Sequence, residues 1–174
     1  PAAPDAALQL RILQDLAAMT LGRTPIADIL QLVAEGVFRG VGCDRVIVAL
    51  LSPDRLHLHG KTALGSGVEA LCARFDFEME GDPDDVVDAA IDSAQGCWVN
   101  AARVEQPGTE RLQQVTACDE GFVVPFGTAS RQIGLLYADR NGRPLDAESW
   151  RAVQHFALQA SLAVALSVAD SGTN

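Results

Sequence analysis

The chain has 174 residues, of which 48% are hydrophobic, and a formal net charge of −10. This length and apolar content are sufficient for one domain with a full core, without disulfides or metals to stabilise it. The acidic balance argues against nucleic-acid binding and against docking to an anionic membrane, because both need a basic surface.

The positions of the cysteines indicate the kind of cellular compartment in which the protein occurs. Cys43, Cys72, Cys97 and Cys118 lie far apart and form no CxxC pair. This spacing predicts reduced thiols in a cytoplasmic protein, packed as small apolar groups and not arranged as a zinc site. No apolar run in the sequence approaches the ~20 residues that are needed to span a bilayer, so we expect no membrane segment.

Two helices are predicted first. The apolar spacing indicates a helix from Ala6 to about Leu21. A second helix is expected to begin with Thr24 as N-cap and Pro25 at the first helical position. Glycines at positions 40 and 42 are expected to end it.

Two strands follow. The segment Arg45–Leu51 is apolar on both faces, which is typical of a central strand covered on both sides. Residues 55–64 alternate and predict a strand with one polar face. The apolar face comprises Leu56, Leu58 and Leu64. The polar face comprises Arg55, His57, His59 and Lys61.

The middle of the chain predicts short elements. The pattern of residues 65–81 predicts no defined secondary structure, apart from a short strand at 74–77. Asp82 and Pro83 predict the start of a third helix that ends near Gly96. We expect a short strand at 97–99, a loop at 100–108 and a short helix at 109–118.

A hairpin and a long helix close the chain. Residues 122–126 and 133–140 predict two strands, and the polar segment 127–132 predicts the turn between them. Residues 146–168 predict the helix. One face of the second strand carries Gly134, Leu136 and Ala138, and the other carries Ile133, Leu135 and Tyr137. The small face is expected to contact the last helix, so a large residue at 134 would cost about 1–3 kcal/mol.

The last helix is too apolar for one buried face. Its heptad stripe comprises Trp150, Val153, Ala157, Ala160 and Val164, and a neighbouring stripe comprises Phe156, Ala163 and Leu166. One stripe covers the sheet, and the other needs a second partner. We predict a homodimer through the terminal helices; the alternative is packing on the first helix of the same chain.

Four segments, at 43–55, 74–77, 123–125 and 133–140, together resemble GAF domains of bacterial signalling proteins. They are most similar to GAF modules joined to an HDOD domain, a helical relative of the HD phosphohydrolases. The resemblance implies an α+β sandwich: about six antiparallel strands, terminal helices on one face and a ligand cavity on the other. It covers residues 6–168 within a single domain over 1–174. Because the chain starts at Pro1, we expect a longer signalling protein with an effector domain, for which HDOD is the candidate.

The resemblance implies a non-catalytic, small-molecule-sensing domain that signals through its terminal helices. The phosphodiesterase-type cyclic-nucleotide motif and the Cys-His pair of bilin-binding members are both absent from the sequence. Free methionine sulfoxide reductases share the family fold, but their clustered cysteines have a different spacing. A ligand-free dimerisation or docking module, and more remotely a thiol reductase, are the alternatives. The ligand is unknown.

The chain has few aromatic residues, and most of them fall near the hairpin and the middle segment. We therefore predict that they line the cavity; the alternative is that they are ordinary core. The predicted lining comprises Phe75, Trp98, Phe126, Leu135 and Tyr137. Tyr137 and Trp98 favour a pocket, because their polar atoms need partners when buried.

Two groups of polar residues are candidates for a metal. His57 and His59 share one strand face, but the only other histidine is His155, so a third ligand is missing and we expect solvent-facing residues. An acidic run lies at 76–85. It lacks the EF-hand spacing and ends at a helix N-terminus, so a solvated loop is expected and no metal.

Overall fold

The computed structural model describes residues 3–100 and 106–172. Within these ranges the chain forms six α-helices, one π-helical turn (Gly36–Val41) and six strands. The helices are α1 (Ala6–Leu21), α2 (Ile26–Glu35), α3 (Val68–Arg74), α4 (Val86–Ser93), α5 (Glu110–Thr116) and α6 (Ala147–Ser171). The strands are β1 (Arg45–Leu51), β2 (His57–Gly65), β3 (Asp76–Glu78), β4 (Cys97–Asn100), β5 (Glu120–Thr128) and β6 (Arg131–Asp139).

The six strands form one sheet in the order β3-β2-β1-β6-β5-β4. Every neighbouring pair is antiparallel. β1 lies near the centre and is largely buried on both faces, as its continuous apolar pattern predicted. The α+β fold class is confirmed. Part of the loop predicted at 100–108 lies outside the described residues.

Helices cover both faces of the sheet. The face that we call the helix face packs against α1, α2, the π-helical turn and α6. The opposite face, here the far face, packs against the shorter helices α3, α4 and α5, which supply Leu71, Val87 and Leu112 to a second core. The domain therefore has two apolar layers, where the resemblance implied one helical layer and an open cavity.

Helix α3 was not predicted. It is seven residues long and buries only Val68 and Leu71, so its apolar spacing is too short to define a period. The chain enters it through Gly67, which has φ 68° and leaves β2 by a left-handed turn.

Two predicted helix starts are wrong. The Thr24 amide donates to the Met19 carbonyl at 3.0 Å and so closes the end of α1, and Pro25 is the N-cap of α2. Asp82 accepts the Asp84 amide at 2.9 Å in a local turn, which delays the helix. Asp85 caps α4 instead.

One face of β2 was predicted to carry Leu56, Leu58 and Leu64. Leu58 instead lies in the far-face core and Leu64 packs on the helix face, while Leu56 precedes the strand and is 55% exposed. The cause is a β-bulge at Lys61, because its two neighbours pair with the consecutive residues Val48 and Ala49. An extra residue reverses the alternation beyond it.

A second bulge lies at Ile133 in β6, between the pairs Phe126–Gly134 and Gly127–Gln132. Ile133 consequently packs on the helix face, so its predicted grouping with Leu135 and Tyr137 is wrong. A Cβ on Gly134 would lie 2.6 Å from the Phe126 ring. The Ala49 backbone carbonyl of β1 lies nearer still, so the space beside Gly134 is filled by β1 and Phe126, not directly by α6.

Helix α6 is the one described helix that is long and apolar enough, by length and composition alone, to cross a membrane. Its apolar character has a structural explanation within the domain. Eight of its residues are buried, and it packs along β5, α2 and α1. One face of α6 therefore belongs to the helix-face core.

Candidate functional site

The predicted cavity residues separate onto the two faces of the sheet. Phe75, Leu135 and Tyr137 lie together in the far-face core. Trp98 and Phe126 lie on the helix face, so their assignment to the same cavity is wrong. Sequence alone identified these aromatic groups but not which face each strand presents to which layer.

The far-face core is packed by aromatic rings. The centroids of Phe75 and Phe77 are 4.9 Å apart in an edge-to-face pair, and those of Phe75 and Tyr137 are 5.6 Å apart. All three side chains are fully buried. Five cavities among the described residues are lined by other side chains. In this structure the rings occupy the place where a cavity was expected.

A buried polar network borders these rings. The Tyr137 hydroxyl donates to Asp139 Oδ2 at 2.5 Å. Arg45 donates from Nε and Nη2 to the same carboxylate, at 2.9 and 2.6 Å, and from Nη2 to the Thr116 carbonyl at 3.0 Å. Burial and the Asp139 charge raise the pKa of Tyr137 well above its ordinary value, so the hydroxyl stays a neutral donor. Burial alone would lower the pKa of Arg45. The hydrogen bonds to Asp139 and its negative charge outweigh this effect and raise the pKa above its ordinary value.

An open groove of about 750 Å³ runs between the N-termini of α4 and α5. Its central cation is Arg111, which donates to Asp85 at 2.7 and 3.1 Å, to Asp88 at 3.3 Å and to the Glu78 carbonyl at 2.6 Å. The guanidinium also lies 5.4 Å from the centroid of the Phe77 ring. Arg111 therefore lies between this groove and Phe77, a ring of the far-face core.

The acidic run is therefore only partly a solvated loop. Asp88 is 1% exposed, and its Oδ1 atom has no hydrogen-bond partner among the described residues. Burial makes its pairing with Arg111 essential, because an unpaired buried carboxylate is costly. Sequence reasoning missed this pair, since Arg111 and Asp88 lie 23 positions apart and on different helices.

The two strand histidines have a third neighbour that the sequence did not reveal. Asp76, on β3, places Oδ1 3.0 Å from His59 Nδ1 and 3.9 Å from His57 Nδ1. The imidazole rings are nearly parallel, with centroids 5.5 Å apart. The three side chains are 40–52% exposed. The argument that a third donor is missing is therefore wrong.

The four thiols are free. Burial raises the pKa of Cys43 to about 12, and it also raises the pKa of Cys72 and of Cys97. Cys97 pairs across the sheet with Val123, five positions beyond Cys118. Cys118 lies two residues before Glu120, which pairs with Asn100 at the end of β4 opposite to Cys97.

The predicted packing stripe of α6 lies inside the protomer. Val153, Ala157, Ala160 and Val164 are buried in the helix-face core, and Trp150 is half-buried against it. Exposed leucines of α6 form a further stripe, of which the sequence analysis named only Leu166, in the stripe next to the first. This leucine stripe comprises Leu158, Leu162 and Leu166, with 46–55% exposure.

The fold matches solved structures of GAF domains. A phycoerythrobilin-bound GAF domain from a cyanobacterial phytochrome superposes with a TM-score of 0.73 at 19% identity, over 93% of this chain and 96% of that chain. The free methionine-R-sulfoxide reductase from Neisseria meningitidis, in complex with its substrate, gives 0.71 at 17% identity, over 98% and 96%. A GAF domain/HD domain protein from Geobacter sulfurreducens gives 0.63 at 13% identity, over 86% and 98%.

No protein-family model matches the chain, and no curated protein matches it. At these identities the structural likeness concerns the fold alone. The chain has the GAF fold, as the resemblance implied. The fold is shared by signalling domains and by an enzyme, so the function has to be argued from the site.

Proposed function

We propose that the chain is a non-catalytic regulatory domain of a bacterial signalling protein, which senses a small molecule and transmits its state through α1 and α6. The observation that carries this proposal is the arrangement of β6 between two cores. Leu135 and Tyr137 face the far-face core, while Leu136 and Ala138 face the helices. A change on the far face therefore reaches the terminal helices through one strand.

The sensing site of this proposal is the far-face core, entered through the groove at Arg111. A ligand there would separate the Phe75 and Tyr137 rings, which now contact each other. Displacing Tyr137 would disturb its bond with Asp139 at the end of β6, seven residues before the N-cap of α6. Ligand binding would thereby favour one arrangement of the helices over another.

A ligand panel tests this proposal. Thermal unfolding is measured with cyclic nucleotides, amino acids, keto acids and haem, and a binder at 100 times its Kd should add about 2.7 kcal/mol. The Arg111→Ala variant should weaken a hit that enters through the groove. Arg151→Ala is the matched control, because Arg151 is exposed on α6 and donates only to the carbonyl one turn before it. A hit that Arg111→Ala leaves unchanged would contradict this entry route.

A ligand-free dimerisation or docking module is the second candidate, and the filled far-face core favours it. The absence of any stabilising compound across the panel would support this candidate over sensing. The thiol reductase is disfavoured by the raised pKa values of Cys43, Cys72 and Cys97. The reductase alternative would be supported if the chain reduced methionine sulfoxide and if Cys97→Ser or Cys118→Ser abolished that activity.

Exposed apolar residues of the terminal helices support a proposal about binding partners. We propose a homodimer formed through the terminal helices, with the leucine stripe of α6 at its centre. Leu10 and Leu21 on α1 are 58% and 80% exposed, so α1 also offers apolar side chains to a partner. We propose that an effector domain, HDOD-like or of another kind, responds to the position of the terminal helices. The proposed location of the protein is the cytoplasm. The net charge of −10 supports neither a nucleic-acid partner nor an anionic membrane partner.

A further inference from the structure

The edge of the sheet carries a compact group of metal-ligating side chains, which we call the edge cluster: His57 and His59 on β2 and Asp76 on β3. The strand register pairs His59 directly with Asp76. One ligand atom from each residue lies within 4.8 Å of the other two. Both imidazoles direct Nδ1 toward the same carboxylate oxygen, at 3.0 and 3.9 Å.

These separations suit a tetrahedral metal ion. Zinc binds imidazole nitrogen and carboxylate oxygen at about 2.0–2.2 Å, so neighbouring ligand atoms lie roughly 3.4 Å apart. The two measured separations from Asp76 Oδ1 bracket that value. We propose that the edge cluster is a binding site for Zn²⁺ or a similar divalent first-row ion, which imidazole and carboxylate ligands suit.

A fourth ligand is available at the same place. Glu78 pairs with His57 across the two strands, and it is exposed two residues beyond Asp76, on the same side of β3. Glu78 or water would complete the coordination. The 40–52% exposure of the three edge-cluster side chains leaves the ion a direct path from solvent.

Such an ion would join β3 to the rest of the sheet. β3 has only three residues and lies at the edge, so few hydrogen bonds hold it. Phe77, between two of the candidate ligands, is buried in the far-face core and contacts Phe75. A metal at the edge cluster would therefore stabilise the wall of that core from outside, whether or not a small molecule enters it.

Calorimetric titration of the full chain, without an affinity tag, tests the site with Zn²⁺. We expect one equivalent to bind, and His59→Ala or Asp76→Asn to weaken it by at least about tenfold. His155→Ala is the matched control and should bind as the parent chain does, because His155 is exposed on α6, apart from the edge cluster. Far-UV circular dichroism verifies that each variant is folded.

A Co²⁺ titration separates the edge cluster from the cysteines. Nitrogen and oxygen coordination gives weak visible bands, whereas thiolate coordination adds a strong charge-transfer band in the near ultraviolet. The weak bands alone, lost in His57→Ala, support the site. No Zn²⁺ binding, binding that survives His59→Ala, or a thiolate band would overturn it and leave an ordinary exposed contact between histidine and aspartate.

Discussion

Arg45 and Asp139 face each other at the ends of the two central strands and are joined by two parallel hydrogen bonds, of 2.9 and 2.6 Å. The Asp139 side chain is 0% exposed. Its carboxylate also accepts the Tyr137 hydroxyl and the Asn141 amide. This one carboxylate therefore joins β1, β6, a ring of the far-face core and the turn that leads to α6.

Asp139→Ala should lower the free energy of unfolding by about 3–5 kcal/mol, because it leaves the Arg45 cation largely buried and unpaired. Asp44→Ala is the control, since it removes the more exposed bidentate pair of Asp44 with Arg143 and should cost at most about 1 kcal/mol. Urea unfolding at neutral pH measures both losses. Equal losses in the two variants would contradict the assigned role of Asp139.

Gly36 and Phe156 define how closely the π-helical turn approaches α6. A Cβ at position 36 would overlap the Phe156 ring, meeting its Cε1 atom and lying 2.6 and 2.9 Å from its Cζ and Cδ1 atoms. Gly36→Ala should therefore cost about 1–3 kcal/mol through overpacking. In the double variant with Phe156→Leu, which reshapes the clashing side chain, the loss should be less than the sum of the single losses. Additive losses would show that the two residues do not compete for the same space.

Asp146 makes the start of α6 sensitive to acid. The hydrogen bond from the Ser149 amide, outweighing partial burial and assisted by Arg140, lowers the Asp146 pKa. A carboxyl group whose pKa is lower in the folded state stabilises the fold at any pH above the ordinary aspartate pKa. This contribution is lost as the pH falls below about 4.

Asp146→Ala should consequently cost at least about 1 kcal/mol at pH 7, because it removes an N-cap and the carboxylate partner of the buried Arg140, and less at pH 3. Urea unfolding of the parent and the variant at the two pH values gives the comparison. A difference between parent and variant that is the same at pH 3 and pH 7 would contradict the electrostatic contribution.

The leucine stripe should determine the oligomeric state. Leu162→Glu places a charge at its centre and should convert the proposed dimer into a monomer, because a buried unpaired charge is unfavourable at an apolar interface. Gln114→Glu, on the exposed surface of α5 and away from the terminal helices, is the control and should leave the dimer intact. Size-exclusion chromatography with light scattering gives the masses, and a parent chain that is monomeric at micromolar concentration would contradict the dimer.

Long elements with a strong pattern were predictable from the sequence. The segment Arg45–Leu51 is apolar throughout, and α1 and α6 span many turns, so their periodicity is unambiguous. Departures arose where tertiary pairing decides the outcome. The bulges at Lys61 and Ile133 depend on a neighbouring strand and leave no local signal.

The candidate site was less predictable than the fold for the same reason. The side of the sheet occupied by Trp98 and Phe126 is set by the register of β4 and β5, which sequence spacing does not define. Asp76 becomes a neighbour of His59 only because a three-residue strand adds to the sheet edge. Contacts between distant, short elements of this kind require coordinates.

Hydrogen–deuterium exchange with and without a compound found in the ligand panel tests the sensing proposal most directly. The account predicts that a bound compound slows exchange in the far-face strands around Leu135 and also alters exchange along α6, because β6 contacts both cores. A compound that binds and leaves α6 exchange unchanged would contradict transmission through the terminal helices. A panel without any binder would contradict small-molecule sensing itself.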